Sequence, residues 1–132
     1  MDVFVYGTLT DPDRTAAVLG EEGFTALGPA RLCGLHRVEG RYPTLAPGGT
    51  VDGRLLRTDR LDALDRYEGV ASGLYARVSA PYAGPDGEVA VYVGDPERLD
   101  AAERVEWPGT GTFGERVERY VRENRVVVER LD

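Results

Sequence analysis

The chain has 132 residues, of which 16 are basic and 23 are acidic, giving a net charge of −7. Of these residues 42% are hydrophobic and 30% are charged, so the chain has enough apolar side chains for one core. We therefore expect residues 1–132 to be a single domain and not a disordered tail. No apolar run approaches the roughly 20 residues that cross a bilayer, and the chain starts without the basic and apolar segments of a signal peptide, which predicts a cytoplasmic protein.

All 16 basic residues are Arg, and they are interspersed with the acidic residues. Binding to nucleic acid or to anionic membranes relies on a concentrated basic face, so neither is an expected partner. The sequence leaves two explanations open for an acidic chain without Lys. One is adaptation to a salty cytoplasm, where many carboxylates keep a protein hydrated, and the other is a base composition that favours Arg codons.

The chain opens with a predicted strand and helix. Residues 3–6 are β-branched or aromatic, which is typical of a strand. Thr10-Asp11-Pro12 predicts the start of a helix, because a capping side chain precedes a Pro in the first turn. Gly20 follows Leu19 at the position where such a helix would end.

The next segment predicts strands. Residues 24–38 indicate one or two strands, broken at Gly28-Pro29 and at Gly34, because Gly and Pro interrupt regular structure. Residues 40–49 predict a loop, and residues 51–57 predict a further strand.

A second helix is predicted after this strand. Thr58 or Asp59 is the expected cap, and Leu61 and Leu64 share one face. Gly69 is placed to adopt the left-handed conformation that ends helices.

The rest of the chain predicts a hairpin, a third helix and a last strand. The hairpin comprises residues 74–82 and 88–93 around Gly84-Pro85-Asp86-Gly87. After an irregular stretch, residues 112–124 have apolar side chains spaced for one helical face, and residues 126–128 favour a strand. This order of elements predicts an α+β fold with about three helices and one curved, mixed sheet.

The sequence contains one Cys and one His, which excludes an internal disulfide, a cysteine-rich zinc site and a two-histidine metal site. We therefore expect no metal and no cofactor. Cys33 and His36 are three residues apart on a predicted strand, so strict alternation would place them on opposite faces and prevent a Cys–His catalytic pair. Cys33 is expected to be a small buried hydrophobe, and His36 to lie on the surface or in a pocket wall.

Tyr6-Gly7-Thr8-Leu9 forms the exit of the first strand, directly before a predicted helix. Such a junction exposes backbone N–H groups and the positive end of a helix dipole, which suit a carboxylate or phosphate. The same pattern is also that of a simple turn. It is not a P-loop, because no Gly-Lys-Ser/Thr follows.

Glu68 stands at the end of the second predicted helix and is followed by an apolar, Gly-containing stretch. The negative end of the helix dipole and apolar surroundings would both raise the pKa of its carboxyl group, as a general acid/base requires. The alternative from the residues alone is an ordinary exposed Glu.

Several neighbouring residues have plain structural interpretations. We expect Tyr67 to pack in the core or at the helix end, and Asp62 and Asp65 to be solvated, although either carboxylate could orient the loop. Pro43 is expected to stiffen a loop at a pocket rim. Trp107 is expected to pack in the core, with a cover over the pocket as the alternative.

Four motifs, taken together, resemble the gamma-glutamylcyclotransferase-like family, which includes the AIG2-like proteins and the gamma-glutamylamine cyclotransferases. They are Phe4-Val5-Tyr6-Gly7-Thr8-Leu9, Tyr42-Pro43-Thr44-Leu45, Leu61-Asp62-Ala63-Leu64-Asp65-Arg66-Tyr67-Glu68-Gly69 and Tyr75-Ala76-Arg77. The resemblance covers roughly the first two-thirds of the chain. The last third, with Trp107-Pro108-Gly109, carries no matching motif.

The resemblance implies a small barrel-like α+β fold that binds its substrate at the mouth. It also implies a reaction in which a γ-glutamyl amide or amine cyclises to 5-oxoproline and releases the amine. By this resemblance Glu68 is the catalytic acid/base, and the backbone of Tyr6-Gly7-Thr8-Leu9 holds the γ-glutamyl group. Tyr75 is implied to lie beside the pocket.

This chemistry fits a chain without a convincing metal site or an activated Ser or Cys. The substrate's own α-amine is the nucleophile, so one carboxylate and a set of backbone N–H groups are sufficient.

Three alternatives stay open: a non-catalytic module that binds γ-glutamyl-type ligands, an interaction domain with a vestigial pocket, and an enzyme for another small acylamine. Neither the identity of the amine that is released nor the oligomeric state can be predicted from the sequence.

Overall fold

The computed structural model describes residues 1–84 and 86–131, and these contain six strands and three α-helices. A turn of 3₁₀ helix (Thr8–Thr10) follows the first strand. In chain order the elements are β1 (Asp2–Val5), α1 (Pro12–Leu19), β2 (Thr25–Val38), β3 (Thr44–Arg57), α2 (Leu61–Glu68), β4 (Tyr75–Pro81), β5 (Glu88–Gly94), α3 (Phe113–Glu123) and β6 (Val127–Arg130).

The six strands form one mixed sheet in the order β4-β5-β1-β3-β2-β6. β1 and β5 are parallel, and the other neighbours are antiparallel. The sheet curls until its two edges approach each other, where the Ala83 N–H donates to the Val128 carbonyl oxygen at 2.9 Å. The predicted α+β fold, with three helices around a curved, barrel-like sheet, is confirmed.

The central strands are buried on both faces. In β1, Phe4 belongs to the core cluster that also contains the α3 residues Val117 and Val121. Val3 and Val5 belong to a second cluster, on the other face, with the α1 and α2 leucines. Burial on both faces explains why β1 reads as a continuous apolar run and not as an alternating pattern.

The helix ends follow the predicted capping chemistry with one exception. The Asp11 side chain accepts a hydrogen bond from the Asp13 N–H at 3.0 Å, with Pro12 as the first residue of α1. Gly69 ends α2 in the left-handed conformation, with φ 70°. The exception is the start of α2, where Arg60 is the N-cap, while the Thr58 Oγ1 accepts from the Arg60 N–H and donates to the Gly23 carbonyl oxygen.

The described helices contain 8, 8 and 11 residues, and none of them is long and apolar enough to cross a membrane. The third helix, predicted for residues 112–124, is confirmed. Thr112 caps it, and the side chains of Thr112 and Glu115 form a reciprocal capping box.

The predicted break of β2 at Gly28-Pro29 and Gly34 is wrong. β2 runs without interruption and pairs with β3, and its register shifts at two bulges, between Ala26 and Gly28 and between Cys33 and Leu35. The predicted loop over residues 40–49 is also too long, because β3 begins at Thr44. Pairing between two 14-residue strands therefore overrides the local preference of Gly and Pro for turns.

The bulge at Gly34 also corrects the predicted faces of Cys33 and His36. Leu32 and Leu35 are three residues apart, yet both are buried in the same cluster. The extra residue thus reverses the alternation, and Cys33 and His36 point to the same outer face. Cys33 is half-buried, not buried, and the exposed His36 has its Nδ1 2.9 Å from the Gly48 carbonyl oxygen.

The remaining predictions concern the C-terminal half. The two strands of the hairpin are confirmed as β4 and β5. Its predicted turn, Gly84-Pro85-Asp86-Gly87, includes Pro85, which lies outside the described residues. Trp107 is 2% exposed and lies edge-on to Phe113 and Tyr120, so the prediction of core packing is confirmed.

Replacement of Gly34 by Ala tests the bulge. A Cβ atom there would lie 2.9 Å from a methyl carbon of Val126, at φ 104°, whereas a Cβ at Gly48 (φ 95°) meets nothing within 4 Å. We expect Gly34→Ala to lower the free energy of unfolding by about 2–4 kcal/mol and Gly48→Ala by about 1 kcal/mol. Urea unfolding of both variants measures the difference, and equal losses would contradict the packing described for the bulge.

Candidate functional site

A cavity of about 350 Å³ opens where the end of β1, the end of α2 and the start of β4 meet. All of the site residues proposed from the sequence border this cavity: Tyr6, Gly7, Thr8, Leu9, Glu68 and Tyr75. The rest of its wall consists of Phe4, Val5, Arg14, Tyr42, Pro43, Tyr67, Leu74 and Tyr92. Pro43 thus lies at the cavity, as expected for a rim residue.

The turn after β1 is held by its carbonyl groups. The Gly7 carbonyl oxygen accepts from the Thr10 N–H at 3.1 Å and from the Thr10 Oγ1 at 2.7 Å. The Leu9 carbonyl oxygen accepts from the Oγ1 of buried Thr15 at 2.9 Å, which ties the turn to α1. These bonds fix the backbone that faces the cavity.

The N–H groups of Gly7, Thr8 and Leu9 have no hydrogen-bond acceptor within residues 1–84 and 86–131. They belong to the 3₁₀ turn Thr8–Thr10 and its N-cap Gly7, which lie between β1 and α1. Three consecutive free donors in a cavity wall can bind a carboxylate or a developing oxyanion.

Glu68 is the last residue of α2, and its carboxylate faces this cavity. It has neither a hydrogen bond nor an ion pair with any of the described residues. Burial raises the pKa of the carboxyl group from 4.5 to about 7. A carboxyl group that titrates near neutral pH can both accept and donate a proton under physiological conditions.

Tyr6 and Tyr75 line the wall near Glu68. The Tyr6 hydroxyl donates to the Tyr92 carbonyl oxygen, and the Tyr75 hydroxyl donates to the Pro43 carbonyl oxygen, each at 2.5 Å. Burial raises the pKa of both phenols, and the charge of Glu68 raises them further. Both phenols therefore stay neutral, with their protons committed to backbone carbonyls, and they do not compete for Glu68.

Tyr67 lies at the end of α2, one of the two positions expected for it, and not in the core. The residue is 37% exposed and borders the cavity, and its hydroxyl lies 2.8 Å from the Oγ1 of Thr8. This hydrogen bond joins the end of α2 to the turn after β1. Glu68 and the three residues with free N–H groups line the same cavity.

Asp65 is also placed differently from the solvated position expected for it. Its carboxylate accepts from the Tyr92 hydroxyl at 2.6 Å and pairs with Arg77 Nη1 at 3.2 Å. These bonds fasten α2 to β5 and β4 one turn before Glu68. Asp62, by contrast, is exposed as expected and, among the described residues, pairs only with Arg66 on the same helix.

The sequence interpretation missed two polar members of the wall, Arg14 and Tyr92. Arg14 had no local signal, since a charged residue on a short amphipathic helix is typical of a solvated face. Tyr92 had no local signal, because its hydroxyl donates a hydrogen bond to Asp65, which is remote in sequence.

The raised pKa of Glu68 has a consequence for stability. Between pH 4.5 and about 7 the folded protein keeps a proton that the unfolded chain has released, so this residue destabilises the fold as the pH rises. We expect wild type to lose about 2–3 kcal/mol of unfolding free energy relative to Glu68→Gln between pH 5 and pH 8. Urea unfolding at both pH values tests this, and a constant difference would mean that Glu68 titrates normally.

Comparison with known proteins places this site in a family. A model of the family described as "Gamma-glutamyl cyclotransferase, AIG2-like" matches residues 3–109, which include every residue of the cavity wall. Comparison with curated protein sequences gives no match.

Solved structures share the fold. A structure titled gamma-glutamyl cyclotransferase is 18% identical, with a TM-score of 0.61 over 93% of this chain and 98% of that one. YkqA from Bacillus subtilis is 20% identical, with a TM-score of 0.63 over 96% of this chain and 49% of that one. A solution structure from Arabidopsis thaliana is 25% identical, with a TM-score of 0.52 over 94% of this chain and 79% of that one. On the family match, the chain belongs to the AIG2-like gamma-glutamyl cyclotransferase family.

Proposed function

We propose that this protein is a γ-glutamyl cyclotransferase, which converts a γ-glutamyl amide into 5-oxoproline and a free amine. The observation that carries the proposal is the arrangement of two unsatisfied groups around one cavity. The carboxylate of Glu68 has no partner among the described residues, and the N–H groups of Gly7, Thr8 and Leu9 have no acceptor there. A ligand with both an amine and carbonyl oxygens satisfies both sides.

The size of the cavity supports a small substrate. Its volume of about 350 Å³ lies near the lower end of the range of roughly 300–1,000 Å³ that is typical of small-molecule sites. The buried part of the wall is mainly aromatic and aliphatic, with Phe4, Leu9 and Tyr75 each less than 8% exposed. Such walls exclude water from the reacting groups and strengthen the polar contacts that remain.

The proposed reaction begins with the substrate's α-amine, in its neutral form after loss of a proton to solvent. Its nitrogen attacks the γ-carbonyl carbon, so that a ring C–N bond forms and the carbonyl oxygen becomes an oxyanion. Because nucleophile and carbonyl belong to one molecule, a well-oriented substrate saves roughly 7–11 kcal/mol of the barrier. The walls of the cavity hold the substrate in this folded conformation.

Glu68 then moves one proton. Its carboxylate accepts the proton that the attacking nitrogen loses, and the resulting carboxylic acid donates this proton to the leaving nitrogen as the amide C–N bond breaks. 5-Oxoproline and a neutral amine are released, and Glu68 returns to its ionised state. A pKa of about 7 suits both steps, since proton transfer is most efficient when the group titrates near the operating pH.

The N–H groups of Gly7, Thr8 and Leu9 bind the γ-glutamyl group in this proposal, and Tyr6 and Tyr75 form the wall beside it. Preorganised donors lower the energy of a developing oxyanion without reorganisation during the reaction. The carbonyl bonds that hold this turn, from Thr10 and Thr15, keep the donors in place before the substrate binds.

Replacement of Glu68 by Gln tests the proposed proton transfer. The amide keeps the size of the side chain but cannot accept the proton, so we expect the release of 5-oxoproline from γ-glutamyl-alanine to fall at least about 10²-fold. Asp62→Asn is the matched control, because it removes an exposed carboxylate from the same helix, and it should keep wild-type activity.

Unchanged 5-oxoproline release by Glu68→Gln would remove Glu68 from the mechanism. If wild type is stabilised against heat by 5-oxoproline or γ-glutamyl amides but forms no product from any of them, the protein is a binding module and not an enzyme.

The pH dependence gives a second test. Only ionised Glu68 can accept the proton, so we expect kcat/KM to rise with pH through about 7. The initial rate of 5-oxoproline formation between pH 5 and 9 measures this, with Asp62→Asn expected to give the same profile. A rate that is flat from pH 5.5 to 8 would show that no group with this pKa limits the reaction.

A further inference from the structure

Arg14 is a basic residue at the mouth of the cavity to which the proposed reaction assigns no role. It lines the wall from α1, and its side chain is exposed. The other exposed wall residues are Thr8, Tyr42 and Tyr67, with Tyr42 51% exposed. These four define the mouth, and the buried residues Phe4, Tyr6 and Leu9 define the floor.

The position of Arg14 is fixed by its neighbour. Thr15 is 1% exposed and donates from Oγ1 to the Leu9 carbonyl oxygen at 2.9 Å. The α1 backbone at Arg14 is therefore held against the turn that carries the free N–H groups. The exposed side chain of Arg14 thus borders the cavity from a backbone position that the Thr15 hydrogen bond ties to the proposed γ-glutamyl site.

Arg14 is also available to a ligand. It has no ion pair or hydrogen bond with any residue in the described part of the chain. Arg37, another cation near the cavity, is already committed: its Nη1 donates to the Tyr6 carbonyl oxygen at 2.7 Å, and its Nε donates to Glu39 at 2.9 Å. Among the described wall residues, Arg14 alone is basic.

The overall charge makes this cation important for an anionic ligand. A chain of net charge −7 repels anions at long range, and Glu68 adds a negative charge inside the cavity when it is ionised. A substrate with a carboxylate directed to the mouth therefore needs a local positive partner. Only Arg14 provides one within the described wall.

We propose, on the basis of the proposed function, that Arg14 binds a carboxylate on the leaving amine. In the proposed reaction the γ-carbonyl carbon lies between Glu68 and the N–H groups of the turn after β1, and the leaving nitrogen and its substituent extend from there towards Arg14. In a γ-glutamyl amino acid, the carboxylate of the leaving part is two bonds from that nitrogen. Arg14 is then a specificity-determining residue, which favours a substrate with a carboxylate on its leaving part over the matching derivative of an uncharged alkylamine.

Two substrates that differ only in this carboxylate test the assignment: γ-glutamyl-alanine and γ-glutamyl-ethylamide. We expect wild type to have a higher kcat/KM for γ-glutamyl-alanine. Arg14→Gln should lower kcat/KM for γ-glutamyl-alanine about 3- to 10-fold and change that for γ-glutamyl-ethylamide less than about 2-fold, since a partly exposed ion pair is modest in strength. Arg14→Lys should restore part of the preference because it keeps the charge.

Arg122→Gln is the matched control, because it removes one exposed Arg from α3, outside the cavity wall, and should leave both substrates unaffected. Potassium chloride at 0.5 M should reduce the preference of wild type for γ-glutamyl-alanine, as salt screens an exposed pair.

Two results would overturn the role of Arg14. One is equal activity of wild type on the two substrates, and the other is an equal loss on both in Arg14→Gln, which would place Arg14 at the γ-glutamyl part. Either result leaves the proposed function intact, because 5-oxoproline is still formed. Absence of product from both substrates, in contrast, contradicts the proposed function itself.

Discussion

The candidate site depends on one unfavourable feature, the buried carboxylate of Glu68, which has no partner among residues 1–84 and 86–131. Burial of Glu68 costs free energy whenever the group is ionised, and its raised pKa expresses that cost. The surrounding structure keeps the side chain in this position. Gly69 ends the helix directly after it, and Asp65 fastens the preceding turn to β4 and β5. Such a position is costly for stability alone, but it suits a group that exchanges protons with a bound molecule.

The turn after β1, which lines the same cavity as Glu68, offers hydrogen-bond donors where the carboxylate offers acceptors. The carbonyl oxygens of Gly7, Thr8 and Leu9 are hydrogen-bonded within the protein, whereas their N–H groups have no acceptor in the described part of the chain. The Tyr67–Thr8 hydrogen bond joins the two sides directly. Intramolecular cyclisation requires little more from a protein than a folded substrate, one proton carrier and donors for an oxyanion. Membership of the AIG2-like gamma-glutamyl cyclotransferase family agrees with this minimal set of groups.

The sequence predicted those features that depend on neighbouring residues. The apolar run of β1, the Asp11 and Thr112 caps and the left-handed Gly69 follow from local chemistry, and the motifs placed Glu68 and the turn together. The sequence interpretation was wrong where contacts with distant segments determine the local structure. Gly34 is typical of a strand break, but pairing with β3 makes it a bulge. Asp65 is typical of a solvated helix residue, but Tyr92 and Arg77 come from strands that follow it in the chain.

A titration of the protein with 5-oxoproline, followed by NMR, tests the central claim most directly. The carboxyl carbon signal of Glu68 and the amide signals of Gly7, Thr8 and Leu9 report on the two sides of the cavity separately. We expect Glu68 to titrate near pH 7 in the free protein, and 5-oxoproline to shift all four signals with one dissociation constant. A Glu68 that titrates near 4.5, or a ligand that shifts the Glu68 signal while the three amides stay unchanged, would contradict that claim.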